Sequence, residues 1–254
     1  GPFPKMGVVG AAVATVLGYV VSTIIALIQL FLTKQKVKPV FKNCLEPQMI
    51  KLIFSYGLPS FVMNALGAFT VNFANMFLVR YSDTAVAFFG AYFKVQQLIF
   101  MTVNGLIQGC LPIMRFNYRA KEYGRLKQAN KSGTIIATVM MIVGMLLVLI
   151  FPKEILFLFS ASEEMCAFGV PAMRIMSLGF VFSGFSAMIA TYEQATDSIM
   201  PGVVVQLLRQ GVLLVPVIWL LNSAVQMTGI WLAFPITEFV TFLVAVVFAK
   251  IKNH

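Results

Sequence analysis

Three of the ionisable residues in the hydrophobic stretches of the sequence lie well away from the ends of those stretches, and they are the first candidates for chemistry. Glu238, Lys94 and Arg209 each fall in a run of about 20 mainly apolar residues, the length that crosses a membrane. A charge in the hydrocarbon region is costly, so such residues usually pair with one another or face a water-filled cavity. We therefore take Glu238, Lys94 and Arg209 as candidate ion-coupling or charge-tuning residues.

The depth of each charge predicts which of them meet. Glu238 follows Gly229 by nine residues, and Lys94 follows Ala85 by nine. At a rise of 1.5 Å per residue, both lie about 14 Å from the same membrane face. We expect them to pair structurally, or to share a cavity that serves ion coupling or substrate binding. Arg209, about 10 Å from the opposite face, either faces the same region or extends back to the interface.

Uncharged polar side chains accompany these charges at helical spacing. Gln97, Asn104 and Gln108 follow Lys94 at intervals of three, seven and four residues, which places all four on one helix face. Hydrogen bonds between membrane helices contribute only about 0.6 kcal/mol each on average. So many polar groups on one face favour a hydrated pathway over polar contacts between helices. The predicted substrate-cavity residues are Asn64, Asn72, Lys94, Gln97, Met101, Asn104, Gln108 and Ser183.

The composition requires membrane-spanning helices to carry these residues. The chain of 254 residues is 59% hydrophobic and 11% charged, against about 45–50% and about 25% in soluble domains. This excludes soluble enzymes, nucleic-acid-binding proteins and disordered proteins. The predicted fold is an all-α integral membrane protein with seven transmembrane helices. They are expected at residues 7–32, 57–80, 85–112, 132–151, 168–193, 202–221 and 229–249.

Positive residues predict the orientation of these helices. Thirteen of the 19 Lys and Arg residues lie in the connections after the first and third spans and in the C-terminal tail. Because cytoplasmic loops retain positive charge, we expect the N-terminus outside and the C-terminus in the cytoplasm. The sequence has no Walker loop, paired carboxylates or metal-binding cysteine spacing. We therefore expect a protein that is not an enzyme and has no metal site, cofactor or nucleic-acid partner.

Four segments resemble the multidrug and toxic compound extrusion (MATE) transporters, in particular the bacterial branch with the staphylococcal-type multidrug exporters. They are GVVGAAVAT at 7–15, GLPS at 57–60, FMTVNGLIQGCLPIMRFNYRAKEYGRLK at 100–127 and YEQATDSIMPGVVVQLLRQGVLLVPV at 192–217. The resemblance implies twelve helices in two six-helix lobes, with about five helices missing upstream. A weak internal similarity between residues 7–16 and 229–238 agrees with such repeats. The implied organisation is the last helix of the N-terminal lobe (1–34), a cytoplasmic linker with an amphipathic helix (35–56) and the C-terminal six-helix lobe (57–254).

The resemblance also implies a function, namely multidrug efflux by alternating-access antiport against protons or sodium ions. The implied partners are small organic cations or amphipathic drugs, the lipid bilayer and the missing N-terminal lobe of the same polypeptide. The implied location is the bacterial inner (plasma) membrane. Gly67 stands where sodium-coupled members carry a glutamate, and no tenth-helix aspartate precedes Glu193. These departures move coupling toward an acid outside this chain, with Glu238 as the only deep carboxylate within it.

Two alternative functions remain. A lipid or polysaccharide flippase of related architecture needs a strongly cationic cavity, and one lysine and one arginine, partly offset by Glu238, supply little charge. A seven-helix receptor shares the expected topology, with the N-terminus outside and the C-terminus in the cytoplasm.

Overall fold

Helices make up all the regular secondary structure of the residues that the computed structural model describes, which are 7–32, 46–196, 204–205 and 207–252. A π-helical turn at Leu208–Val212 precedes the last helix. The helices are α1 (Gly7–Leu32), α2 (Pro47–Leu78), α3 (Asp83–Arg119), α4 (Tyr123–Ile150), α5 (Pro152–Leu158), α6 (Glu163–Ser177), α7 (Phe180–Ala195) and α8 (Leu214–Lys252).

The helices confirm the all-α membrane architecture. In the described part of the chain, five helical runs are long and apolar enough to cross a membrane, and a shorter apolar helix spans Ala65–Leu78. A helix pairs its own backbone N–H and C=O groups, and this is required in the membrane because hydrocarbon offers them no hydrogen-bond partners. The five runs are Ala12–Phe31, Asp83–Arg119, Tyr123–Ile150, Glu163–Ala195 and Leu214–Phe248.

The chain divides into two compact units, Gly1–Phe54 and Ser55–His254. The described part of the first unit consists of α1 and the first turns of α2, and most of their large apolar side chains are exposed. The second unit contains the remaining helices and a buried core of aromatic, methionine and aliphatic side chains.

α8 is a helical hairpin rather than one straight helix. Val225 and Gln226 have non-helical backbone angles, with φ of 52° at Gln226, so the chain reverses direction there. The two arms then approach so closely that a Cβ atom on Gly229 would overlap the backbone of Leu221. This turn lies in the gap between the sixth and seventh predicted spans.

Aromatic contacts join α3 to the second arm of α8. Phe88 and Trp231 are 5.3 Å apart between ring centroids, and Phe89 and Phe234 are 5.7 Å apart. Edge-to-face and tilted pairs of this kind each contribute about 0.5–1.5 kcal/mol beyond their buried area. They hold the two helices together on one side of the cavity described below.

The hairpin predicts a position that tolerates only glycine. Gly229→Ala would place its methyl group on the Leu221 backbone, and overpacking that cannot relax costs about 1–3 kcal/mol or more. We expect a clear fall in the thermal unfolding midpoint in detergent. Gly105→Ala, in α3, is the matched control because its Cβ would meet nothing within 4 Å. Equal midpoints for the two variants would contradict the close approach of the arms.

Candidate functional site

A cavity of about 530 Å³ lies in the second unit between α2, α3, the π-helical turn and α8. Its volume falls within the range of about 300–1,000 Å³ that is usual for small-molecule sites. Its walls combine aromatic rings, side-chain amides and one ion pair. The lining residues are Gly67, Ala68, Thr70 and Val71 of α2, Phe93, Gln96, Gln97, Phe100 and Asn104 of α3, and Arg209, Leu214, Phe234 and Glu238.

The ion pair joins Arg209 to Glu238. Nε of Arg209 donates a hydrogen bond to Oε1 of Glu238 at 2.7 Å, a length typical of charge-assisted bonds. The side chains are only 17% and 14% exposed, respectively. The guanidinium carbon of Arg209 also lies 4.9 Å from the centroid of the Phe100 ring, which is a cation–π distance. Arg209 is thus held by a carboxylate and an aromatic face together.

Local backbone features bring the pair together. Arg209 lies in the π-helical turn, a rare conformation that redirects side chains and is frequent at functional sites. In the same turn, Gly211 packs against Leu66 of α2, where a Cβ atom would overlap the leucine side chain. On the opposite side, a Cβ atom at Gly179 would lie 3.2 Å from Cγ of Glu238. Small residues therefore permit the close packing around both charges.

Glu238 retains one unused acceptor. Its Oε2 atom is buried and has no hydrogen-bond partner among the described residues. The hydroxyl of Tyr92, on α3, is likewise buried without a hydrogen-bond partner among the described residues. Buried polar atoms of native proteins are usually paired, so an unused carboxylate oxygen indicates a place for a proton or a ligand. Within the described residues, no group of three or more His, Cys, Asp or Glu side chains is placed to hold a metal ion.

The structure brings together four of the residues predicted for the site, namely Gln97, Asn104, Arg209 and Glu238. The others lie elsewhere. Ser183 is buried and donates to the carbonyl of Gly179 at 3.1 Å. The side chain of Asn64 lies outside the described residues. The remaining four predicted residues are exposed and do not line the described cavity: Asn72, Lys94, Met101 and Gln108.

The expected pairing of Glu238 with Lys94 is replaced by the pairing with Arg209. Equal depth does not specify direction around a helix. Lys94 follows Phe93, which lines the cavity, by one residue, a rotation of about 100°, and its side chain is exposed. The reversal at α8 instead places Arg209 opposite Glu238.

Nine of the thirteen lining residues were not among the predicted site residues: Gly67, Ala68, Thr70, Val71, Phe93, Gln96, Phe100, Leu214 and Phe234. A signal for two of them was present in the sequence. Phe93, Gln97, Phe100 and Asn104 follow one another at intervals of four, three and four residues, the spacing of one helix face. Aromatic and amide positions taken together would have identified that face.

The fold defines a multi-pass helical membrane protein with a cavity among the helices of its second unit. Solved structures of similar fold are membrane transporters. A multidrug resistance MATE family transporter of the MOP superfamily, in an outward-facing conformation, matches with a TM-score of 0.83 at 20% identity, over 97% of this chain and 56% of its own. A MOP superfamily transporter from Pyrococcus furiosus, for which reverse polarity of the binding pocket suggests a different function, matches with a TM-score of 0.84 at 20% identity, over 98% and 57%.

Sequence comparison identifies the family. The model of the MatE family matches residues 59–220, more than half of the chain, and the chain belongs to this family. The multidrug export protein MepA of Staphylococcus aureus is 26% identical over 235 residues, 92% of this chain and 51% of MepA. MepA of Staphylococcus saprophyticus is 26% identical over 244 residues, 94% of this chain and 53% of that protein. The chain thus spans about half the length of the curated relatives it matches.

The ion pair predicts an unequal pattern of stability losses. Arg209→Gln leaves the partly buried Glu238 carboxylate without its partner, and the cost should lie between the about 0–1 kcal/mol of an exposed pair and the about 3–5 kcal/mol of a fully buried one. The double variant Arg209→Gln/Glu238→Gln removes both charges and should be more stable than Arg209→Gln alone. Lys94→Gln, the control at the exposed lysine, should change stability by less than about 0.5 kcal/mol. The thermal unfolding midpoints of wild type and the three variants measure these differences. If only Lys94→Gln lost stability, the result would support a pairing of Glu238 with Lys94 instead.

Proposed function

We propose that the chain is the C-terminal part of a bacterial inner-membrane MATE-type antiporter that exports cationic or amphipathic compounds. The observation that carries this proposal is the cavity, in which a partly buried ion pair lies beside amides and aromatic rings. Membership of the MatE family supports it, as do relatives named as multidrug export proteins. Family membership also excludes the seven-helix receptor.

The proposed architecture is a seven-helix segment of a two-lobed transporter. Residues 1–34 form the last helix of the N-terminal lobe, 35–56 the cytoplasmic linker and 57–254 the C-terminal lobe, with the C-terminus in the cytoplasm. The coverage of only about half of each relative supports this division. The C-terminal lobe moves against the other lobe, so that the cavity opens alternately to the two sides of the membrane.

We further propose that Glu238 couples an ion gradient to this movement. Protonation of Glu238 removes its attraction to Arg209. Two charges 4 Å apart attract by about 4 kcal/mol at an effective dielectric constant of 20. Couplings between sites are typically about 1–3 kcal/mol, so losing the pair is large enough to shift a conformational equilibrium.

The same carboxylate favours a proton over a sodium ion as the coupling ion. A proton needs one acceptor, and Oε2 of Glu238 is unused by the described residues. Hard metal cations take several oxygen ligands. Gly67, which lines the cavity from α2, adds none.

The coupling role predicts a loss of transport in Glu238→Gln. In membrane vesicles containing the full-length gene product, efflux of a cationic dye should fall by about tenfold, the equivalent of about 1.4 kcal/mol. The remaining efflux should no longer vary with pH, because the glutamine does not titrate. The control is Glu164→Gln, an exposed carboxylate away from the cavity. Wild-type efflux and pH dependence in Glu238→Gln would refute the coupling role.

A further inference from the structure

We propose that Arg209 and Phe100 form a subsite for the carboxylate of an aromatic ligand. This inference rests on the proposed function, because it names a class of substrate for the same cavity. It concerns the unused side of the Arg209 guanidinium group, which the ion pair leaves available.

The hydrogen bonding of Arg209 is incomplete. A guanidinium group has five N–H donors, and Arg209 uses only Nε toward Glu238. Its Nη1 and Nη2 groups make no hydrogen bond to any described residue. Neither nitrogen is among the buried polar atoms that lack a partner, so both are accessible from the surroundings. Arginine and carboxylate often form two parallel bonds, but only one is present here. The terminal nitrogens of Arg209 therefore present unused donors in a residue that lines the cavity.

Phe100 holds the guanidinium plane for such a ligand. Cζ of Arg209 lies over the Phe100 ring, 4.9 Å from the ring centroid. A face contact restricts the motion of the side chain and leaves the edge, where the N–H groups lie, open to an acceptor. A restricted donor pair loses less conformational freedom when it binds.

The described lining carries one positive and one negative side chain, and the positive one has donors to offer an anion. Arg209 is in the cavity lining, and Lys94 is exposed one turn before Gln97 on α3. Glu238 is the only acidic residue in the described lining. Its bonded oxygen is already neutralised by Arg209, and its other oxygen is buried. Within the described lining, Arg209 is thus the single positive side chain, and the remaining oxygen of Glu238 is buried away from its free N–H groups.

The remaining walls suit an aromatic body. Phe93 and Phe234 line the cavity with ring centroids 6.4 Å apart, so a ligand ring can pack against them beside Phe100. Gln96 and Gln97 add neutral donors and acceptors. A volume of about 530 Å³ accommodates a drug-sized aromatic molecule. The three rings are the reason we assign the anion to an aromatic carboxylate rather than to a lipid phosphate.

The test compares matched ligands on the purified full-length gene product. Naphthoate and naphthamide have the same shape and differ in charge, and a short-chain phosphatidic acid represents a lipid phosphate. Isothermal titration at neutral pH measures each dissociation constant. We expect wild-type protein to bind naphthoate about tenfold more tightly than naphthamide, since a charge-assisted bidentate contact is lost with the amide. Phosphatidic acid should bind more weakly than naphthoate.

Three variants test how the charges of Arg209 and Glu238 affect naphthoate binding. Glu238→Gln removes the competing carboxylate and should strengthen naphthoate binding by about tenfold. Arg209→Gln/Glu238→Gln should bind naphthoate and naphthamide equally. Arg209→Lys keeps the charge without the planar fork and should lie between wild type and the double variant. Should the double variant fail to fold, wild type, Glu238→Gln and Arg209→Lys still decide the question.

The outcomes separate this inference from the proposed function. Equal binding of naphthoate and naphthamide to a wild-type protein that transports a cationic dye overturns the carboxylate subsite and leaves the transporter proposal standing. Tighter binding of phosphatidic acid than of naphthoate overturns the subsite in favour of a lipid ligand. Binding that follows the expected order in a protein that transports no dye supports the subsite and refutes multidrug export.

Discussion

The ion pair between Arg209 and Glu238 is the interaction on which the arrangement around the cavity depends. Removing a charge from water costs several kcal/mol, and only a well-placed partner offsets that cost inside a protein. The hairpin in α8 and the π-helical turn before it are the backbone features that place these two side chains within hydrogen-bonding distance. The Phe100 ring adds a second favourable contact for the guanidinium group.

Close helix packing is the second requirement of this arrangement. Lipid tails are as apolar as the helix surfaces, so membrane helices associate through tight packing and small residues rather than through the hydrophobic effect. Gly179, Gly211 and Gly229 each occupy positions where a Cβ atom would press against a neighbouring segment. Two of the three lie directly beside the ion pair. The aromatic contacts between α3 and α8 then set the opposite wall of the cavity.

The cavity contains one carboxylate in a setting where a change of its charge has large effects. Gly67 and Glu238 line the same space from different helices. The carboxylate in the described lining therefore comes from Glu238 of α8, whereas Gly67 of α2 contributes no side chain. Arg209 is bound to that carboxylate through one nitrogen only, so the pair is sensitive both to protonation and to a competing anion. The proposed ion coupling and the proposed ligand subsite therefore involve the same two side chains.

The sequence predicts those features of the fold and the cavity that depend on local composition and spacing. The long apolar runs predict membrane helices, and the high cost of charge in hydrocarbon marks Glu238 and Arg209 as functional candidates. Helical spacing grouped Gln97 with Asn104 on one helix face, and both side chains line the described cavity. It also included Lys94, which is exposed, because the predicted face was centred about one residue step away from the face that lines the cavity.

The sequence by itself therefore determined the class of protein and its family, since these follow from composition and motifs. Only the tertiary structure decided that Glu238 pairs with Arg209, that the guanidinium group lies over the Phe100 ring and that α8 reverses at Gln226. Depth along a helix is a local property of the chain. The direction in which a side chain points toward another helix is set by packing between segments far apart in sequence.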